Sequence, residues 1–162
     1  MEAIERDIYR IGHELMEELK NNLKVIASSD IGINKKVGIN TLKDSDLIKQ
    51  MDGWVILNGY QFQVDLVLNY YVDYIVSGRK KGARMIPIAP LIVWLKKKNI
   101  PTTNKNIRST AFMIAKAIQR DGIEGRDIIT PWLEKYDDTV EIYIDKMFER
   151  IMSELNNYLI EI

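Results

Sequence analysis

Residues 54–68 carry the pattern that most narrows what this chain can fold into. Trp54-Val55-Ile56-Leu57 is a short run of β-formers, and Asn58-Gly59 follows at once. Asn-Gly is among the strongest hairpin signals, because both central residues of a type I′ turn need a positive φ. On the far side Tyr60, Phe62, Val64, Leu66 and Leu68 alternate with Gln61, Gln63, Asp65 and Asn69. A period of two with one apolar face predicts a half-buried antiparallel strand. Val37 and Ile39, alternating with polar or small neighbours across Lys36–Asn40, predict a further strand; Leu42–Met51 reads equally as strand or short helix.

Helical periodicity flanks this β-region on both sides. Ile4, Ile8, Ile11, Leu15, Leu19, Leu23 and Ile26 recur in steps of three or four, with Glu2, Glu5, Arg6, Glu17, Glu18 and Lys20 elsewhere, which predicts an amphipathic helix over 2–27. Glu2 and Glu5 suit the positive end of its dipole and Lys24 the negative end; Ser28-Ser29-Asp30 and Gly32 mark its stop. After the hairpin, 70–76 reads as a short helix or turn closed by Ser77-Gly78, and 79–85 as a basic loop containing Gly82. Pro87–Lys98 predicts a helix with Ile88, Leu91, Ile92 and Leu95 on one face, Pro90 being tolerable only in its first turn. Ser109–Arg120 predicts another, with Ala111, Ile114, Ala115 and Ile118 inward and Gly122 as its cap. Thr130 as N-cap and Pro131 as first helical residue would open a turn, and a last helix is expected over 138–160 with Val140, Ile144, Met147, Ile151, Leu155 and Leu159 on one face. The fold class expected is α+β: a long N-terminal helix, a small twisted antiparallel sheet with a hairpin, helices packed on it and a long C-terminal helix. No repeat and no long Pro/Gly/Ser linker divides the 162 residues, a length that suits one domain.

The net charge is zero, but the charges are segregated. Residues 1–78 hold 8 basic and 12 acidic side chains, net −4. Residues 79–120 hold 11 basic and none acidic, and residues 121–162 hold 4 basic and 11 acidic, net −7. A segment of 42 residues without a carboxylate implies a polyanion or an acidic protein surface against it, or else a solvated basic face neutralised within the fold by the acidic tail. Arg79, Lys80, Lys81, Arg84, Lys96, Lys97 and Lys98 are the candidate groups for an oligomer or DNA interface. Their contact with DNA would go to phosphates and be independent of sequence. Trp94 and Phe112 are the aromatics nearest this block; both fit core positions, so no single-strand stacking platform is expected.

The residues for catalysis are sparse. There is no cysteine, which excludes disulfides, thiolate metal sites and a cysteine nucleophile, and which fits assembly in a reducing cytoplasm. The one histidine, His13, lies in the first helix a turn from Glu17 and reads as solvated. Neither GxxxxGK[ST], GxGxxG nor GxSxG occurs. Asp137, Asp138 and Glu141 could gather a divalent ion, but acids at a helix start are expected for dipole reasons alone. The expectation is no enzyme, no cofactor and no metal. The acidic, amphipathic start has no basic n-region, and no segment reaches the ~18–20 apolar residues of a membrane span. The chain is therefore expected to be soluble and intracellular when made, with no membrane partner.

Three blocks in one order resemble the neck and tail-completion (head–tail connector) proteins of tailed bacteriophages. Tyr71-Val72-Asp73-Tyr74-Ile75-Val76-Ser77-Gly78-Arg79-Lys80 is similar to that family's aromatic-rich passage leading into a Gly-Arg loop. Pro87-Ile88 and Ile92-Val93-Trp94-Leu95-Lys96-Lys97-Lys98-Asn99-Ile100 resemble its Trp- and Lys-rich helix. Ala111 through Arg126, with Ala115, Ile118, Gly122, Gly125 and Arg126, resembles its third block. Asn99 stands where the family often has Gly, and Ile128-Ile129 replace an aromatic. The Ile-, Lys- and Asn-rich usage resembles that of AT-rich genomes such as those of crAss-like phages.

The resemblance implies a single connector-like domain over 1–162: an N-terminal helix at 1–27, a β-region at 33–69, a helical region with the basic loop at 70–135 and a C-terminal helix at 136–162. It implies a virion protein of the neck or tail, assembled in the bacterial cytoplasm, whose partners are copies of itself in a ring, portal or adaptor proteins and tail-tube proteins. A small phage-encoded nucleic-acid-binding accessory protein is the other expectation, resting on the same basic block.

Overall fold

The computed structural model describes residues 2–35, 38–59, 61–97 and 106–160. The order of elements is α1 (Glu2–Ser28), a 3-10 turn (Asp30–Gly32), β1 (Ile33–Asn34), β2 (Ile39–Asn40), α2 (Asp46–Lys49), β3 (Asp52–Asn58), β4 (Gln61–Val67), α3 (Val72–Ser77), α4 (Ile88–Lys97), α5 (Ile107–Asp121) and α6 (Ile129–Ile160). This is the expected α+β arrangement, with two small antiparallel sheets of two strands each and long helices at both ends. Chain contacts divide it into two compact units, one made of the residues up to Val72 with Asp127–Ile162, the other of Asp73–Arg126.

In the first unit α1 is the centre, packed by the β3–β4 hairpin and by α6. Ile11, Leu15, Leu19, Leu23 and Ile26 are buried at the spacing read from the sequence, Ile4 and Ile8 are half-buried, and Met16 and Ala27 widen the buried side beyond that stripe. Gly12 sits among them because the hairpin comes too close for a side chain: a Cβ there would lie 2.8 Å from the Phe62 ring and from Val55 Cγ1. The hairpin lays Val55 on the inner face, while Trp54 and Ile56 point out with 48% and 41% of their surface exposed. Its register pairs Asn58 with Gln61, so Asn58 is the last residue of β3 and the turn begins at Gly59. The sequence places Asn58 in the turn itself; the pairing moves the turn one residue on, and Gly59 still supplies a positive φ, 58°. Tyr60, expected on the apolar face of the returning strand, lies outside the described residues.

Helix α1 ends at a polar hub. Asn40 donates from Nδ2 to the Ala27 and Ser29 carbonyls at 3.0 Å each, and its Oδ1 accepts from the Leu42 and Lys43 amides at 3.0 Å. The side chain thus takes up carbonyls at the helix end and turns the chain toward α2. Lys24 falls a turn short of that end, and no basic residue occupies the last turn. Of the strand expected at 36–40, Ile39 and Asn40 pair with Ile33 and Asn34, while Lys36 and Val37 lie outside the described residues. The ambiguous 42–51 stretch contains one helical turn, α2, with Leu47 and Ile48 buried.

Helix α6 begins nine residues before the expected start at 138. Asp127 is the cause. Its Oδ1 accepts from the Ile129 and Thr130 amides at 3.1 and 3.0 Å, and its Oδ2 accepts from the Thr130 hydroxyl at 2.7 Å. That is N-cap geometry, taken by Asp127 in place of the expected Thr130, and it leaves Pro131 in the first turn. The two long helices run antiparallel, tied by Asn22 Nδ2 to Thr139 Oγ1 at 3.2 Å, Trp132 Nε1 to the Leu19 carbonyl at 3.0 Å and Arg150 to Asp7.

The expected inward face of α6 is corrected in its second half. Met147 is buried and Val140 and Ile151 are half-buried, but Ile144, Leu155 and Leu159 are 47%, 52% and 69% exposed. A stripe repeating every seven residues drifts by ~20° per heptad on a helix of 3.6 residues per turn. The α1-facing side follows Tyr136, Tyr143, Met147 and Arg150, and the stripe rotates away from it.

Candidate functional site

The second unit contains the residues from Asp73 through the Gly-Arg block, and its geometry explains most of them. Helix α3 ends at Gly78, whose φ of 66° is open chiefly to glycine. Arg79 then forms an antiparallel bridge with Ile123: Arg79 N donates to the Ile123 carbonyl at 2.7 Å, and Ile123 N to the Arg79 carbonyl at 2.9 Å. Gly82 N donates to the Gln119 carbonyl at 2.7 Å and Arg126 N to the Ile75 carbonyl at 2.8 Å. Two segments far apart in sequence are thereby held backbone to backbone.

Three glycines make this approach possible. A Cβ on Gly78 would lie 2.4 Å from the Gly125 nitrogen and the Ile123 carbonyl oxygen. One on Gly125 would lie 2.3 Å from the Val76 carbonyl oxygen. One on Gly122, at φ 69°, would lie 2.5 Å from the Arg79 carbonyl oxygen. In each case the obstacle is backbone, which cannot swing aside. Gly122 also closes α5 as expected, its amide donating to the Ile118 carbonyl at 2.9 Å.

Helices α4 and α5 pack on each other. Asn106 caps α5, its side chain accepting from the Arg108 amide at 3.2 Å. Leu95, Ala111 and Ala115 are buried and Ile118 is half-buried, as the periodicity predicts. Trp94 and Phe112, expected in the core, are instead 44% and 42% exposed. Each lies one residue, ~100° of turn, from an inward position already taken by Leu95 or Ala111.

The basic candidates fall into two kinds. The Arg79 guanidinium is half-buried and donates from Nη2 to the Arg84 carbonyl, so it braces its own loop. Lys80, Lys81 and Arg84 are exposed on that loop, and Lys96 and Lys97 are exposed at the end of α4, where cations suit the helix dipole. Lys98, with Asn99 and Ile100 after it, lies outside the described residues. On α5, Lys116 stands over the Phe112 ring at 5.9 Å, and Arg120 is held by Asp121 at 2.8 Å. Among the motif residues, Tyr74 is 68% exposed. Tyr71, half-buried in the first unit, has its phenol pushed above the ordinary value by burial and then by the nearby Asp46 and Tyr70. Half-burial of Arg126 lowers its guanidinium from the usual range.

His13 packs edge-on against Tyr9, ring centroids 4.6 Å apart, while Glu17 pairs with Lys20 at 3.0 Å. No group of three His, Cys, Asp or Glu side chains among the described residues is placed to hold a metal ion, Asp137, Asp138 and Glu141 included. A depression of about 440 Å³ in the first unit is lined, among the described residues, by Glu5, Arg6, Tyr9 and Leu57. No described helix is long and apolar enough to cross a membrane.

What sequence reasoning misses is mostly polar and local. Asn40 and Asp127 organise two chain reversals, and in the sequence Asp127 shows only as an acid three residues before Thr130. Comparison with known protein families, with characterised proteins and with solved structures finds no match to any of them.

Proposed function

We propose that this chain is a non-enzymatic structural protein of a tailed-bacteriophage particle, one member of a ring in the neck or tail that joins the portal or adaptor to the tail. One observation carries the reading. The Asp73–Arg126 unit contains most of the described residues of the three family-like blocks, Tyr71 and Val72 falling in the first unit, and their glycines sit where a Cβ would strike backbone. Gly78, Gly122 and Gly125, which belong to those blocks, are therefore fixed by the fold of this unit. These glycines lock a small structural module, and the exposed lysines around it can serve as contact groups.

The charge layout suits the task. A ring subunit meets its two neighbours through unlike surfaces, since a closed ring requires heterologous interfaces. The Asp73–Arg126 unit presents Lys80, Lys81, Arg84, Lys96 and Lys116, whereas α6 presents Asp137, Asp138, Glu141, Asp145 and Glu149. Opposite potentials steer encounter and fix register between copies. The alternative use of the basic groups is to line a DNA channel, where they would meet phosphates without base recognition. The test is genetic and compositional. Particles purified from infected cells are expected to contain the chain, and deleting its gene is expected to leave filled heads without tails. Intact tailed particles lacking the chain would overturn the reading.

The exposed basic loop also supports the second reading, a phage-encoded accessory protein that binds nucleic acid as a monomer. That reading requires binding to duplex DNA of any sequence that weakens steeply with salt.

A further inference from the structure

Helix α6 carries a second apolar face, and it is exposed. Ile144, Phe148, Met152, Leu155 and Leu159 step by four, four, three and four, and are 47–69% exposed. They form a continuous stripe ~120° round the helix from the side that packs on α1. The pairs that tie α1 to α6, Asn22 with Thr139 and Asp7 with Arg150, run antiparallel and bring the start of α1 opposite residues about 155–159, near the end of α6. Acids run beside the stripe: Glu141, Asp145 and Glu149 are exposed, each three residues before Ile144, Phe148 or Met152. The surface is therefore apolar along its length with a negative margin.

A surface of the opposite kind lies in the Asp73–Arg126 unit. The outward side of α5 exposes Phe112 and Met113, 42% and 59%, with Lys116 beside them. The neighbouring α4 exposes Val93 and Trp94, 66% and 44%, with Lys96 at its end. No carboxylate occurs between residues 79 and 120, and Asp121 is already engaged by Arg120. The exposed sides of both helices are thus apolar with lysines beside them.

We infer that the outer face of α6 in one copy docks on the outer face of the α4–α5 pair in the next copy. The occupant is a second copy of this chain because the chain itself supplies both complementary surfaces, each exposed. The contact is heterologous: α6 meets α4–α5 and leaves a free surface of each kind at the two ends, which is what a ring or open array needs. An isologous α6–α6 contact would bring like charges together along its whole length, which is unfavourable. The inference deepens the ring reading by naming its subunit contact, but the contact itself can be measured without any particle.

The absence of native cysteine makes the test direct. One preparation carries Phe148→Cys and a second Met113→Cys, both exposed positions. The two are mixed at about 1 mM, the local concentration typical of linked neighbours, and oxidised. The expected product is the mixed dimer, in which the Phe148→Cys thiol of one copy is joined to the Met113→Cys thiol of another, in excess over either same-site dimer. Reversing Glu141, Asp145 and Glu149 to Lys is expected to lower its yield about tenfold, and adding Lys96→Glu and Lys116→Glu on the other copy to restore it. Circular dichroism of each variant checks that the helices persist. A predominance of same-site dimers of the Phe148→Cys chain, or no dimer at all from folded chains, would overturn the inference. A mixed dimer from a chain that is absent from particles would leave the contact standing and remove the ring's place in the virion.

Discussion

Arg150 on α6 donates from Nε to Asp7 Oδ2 on α1 at 2.6 Å and from Nη1 to Glu154 at 3.1 Å, so one guanidinium clamps the N-terminal helix to the far end of the C-terminal one. The Asp7 carboxyl is held below its ordinary value of 3.8, first by the hydrogen bond from Arg150, against a smaller opposing effect of desolvation, and further by the charges of Arg150 and Arg10. A carboxylate with a depressed folded pKa stabilises the fold above its unfolded pKa, and that contribution fades as pH falls through the folded value. Asp127 adds to the same limb, lowered first by the Thr130 amide and hydroxyl. Thermal stability is expected to be flat from pH 7 to about 5 and to fall below about pH 4. Asp7→Asn is expected to make that acid decline shallower. An unchanged acid limb in Asp7→Asn would show that the clamp does not contribute.

The glycine lock predicts a graded series. Gly78→Ala and Gly125→Ala place a Cβ 2.3–2.4 Å from backbone atoms and are each expected to cost about 2–4 kcal/mol in denaturant unfolding. Gly82 has a positive φ of 74° but open space around its Cβ position, so Gly82→Ala meets only the conformational penalty, about 1–2 kcal/mol. Equal losses at all three positions would mean that the close approach of the two segments is unimportant.

Burial separates two leucines of similar appearance in the sequence. Leu23, fully buried on α1, is expected to lose about 2–5 kcal/mol on Leu23→Ala. Leu155→Ala, at a half-exposed position on α6, is expected to change the stability of the isolated chain by less than about 0.5 kcal/mol. Chemical denaturation of the two variants decides the matter.

The basic loop predicts a division of roles. Lys80→Glu, Lys81→Glu and Arg84→Glu together are expected to leave the unfolding midpoint nearly unchanged while lowering particle assembly, because these side chains are exposed. Arg79→Glu is expected to destabilise the chain, since the Arg79 guanidinium braces the loop through the Arg84 carbonyl. Undisturbed assembly in the triple variant would remove the loop from any interface.

The α+β order and the inward face of α1 are legible in the sequence because each rests on a long hydrophobic period: seven apolar positions from Ile4 to Ile26 fix one side of a helix. The turn register differs from the sequence reading by one residue, since Asn58 can be either a turn residue or the last strand residue and only the cross-strand partner Gln61 decides. The start of α6 is hidden because Asp127 and Thr130 are both good caps, and which one acts depends on the path of the chain. Trp94 and Phe112 mislead for a different reason: residue type favours the core, but Leu95 and Ala111 occupy the inward positions. The Gly78, Gly122 and Gly125 lock is visible in the sequence only as a pattern. Its cause, one stretch of backbone lying against another far along the chain, is a tertiary fact that no local period encodes.

Electron cryomicroscopy of intact phage particles at the head–tail junction tests the central claim most directly. The account predicts a closed ring of this chain between portal and tail, with the α6 of each copy against the α4–α5 pair of the next. Density for the junction that accommodates no copy of the chain would contradict it.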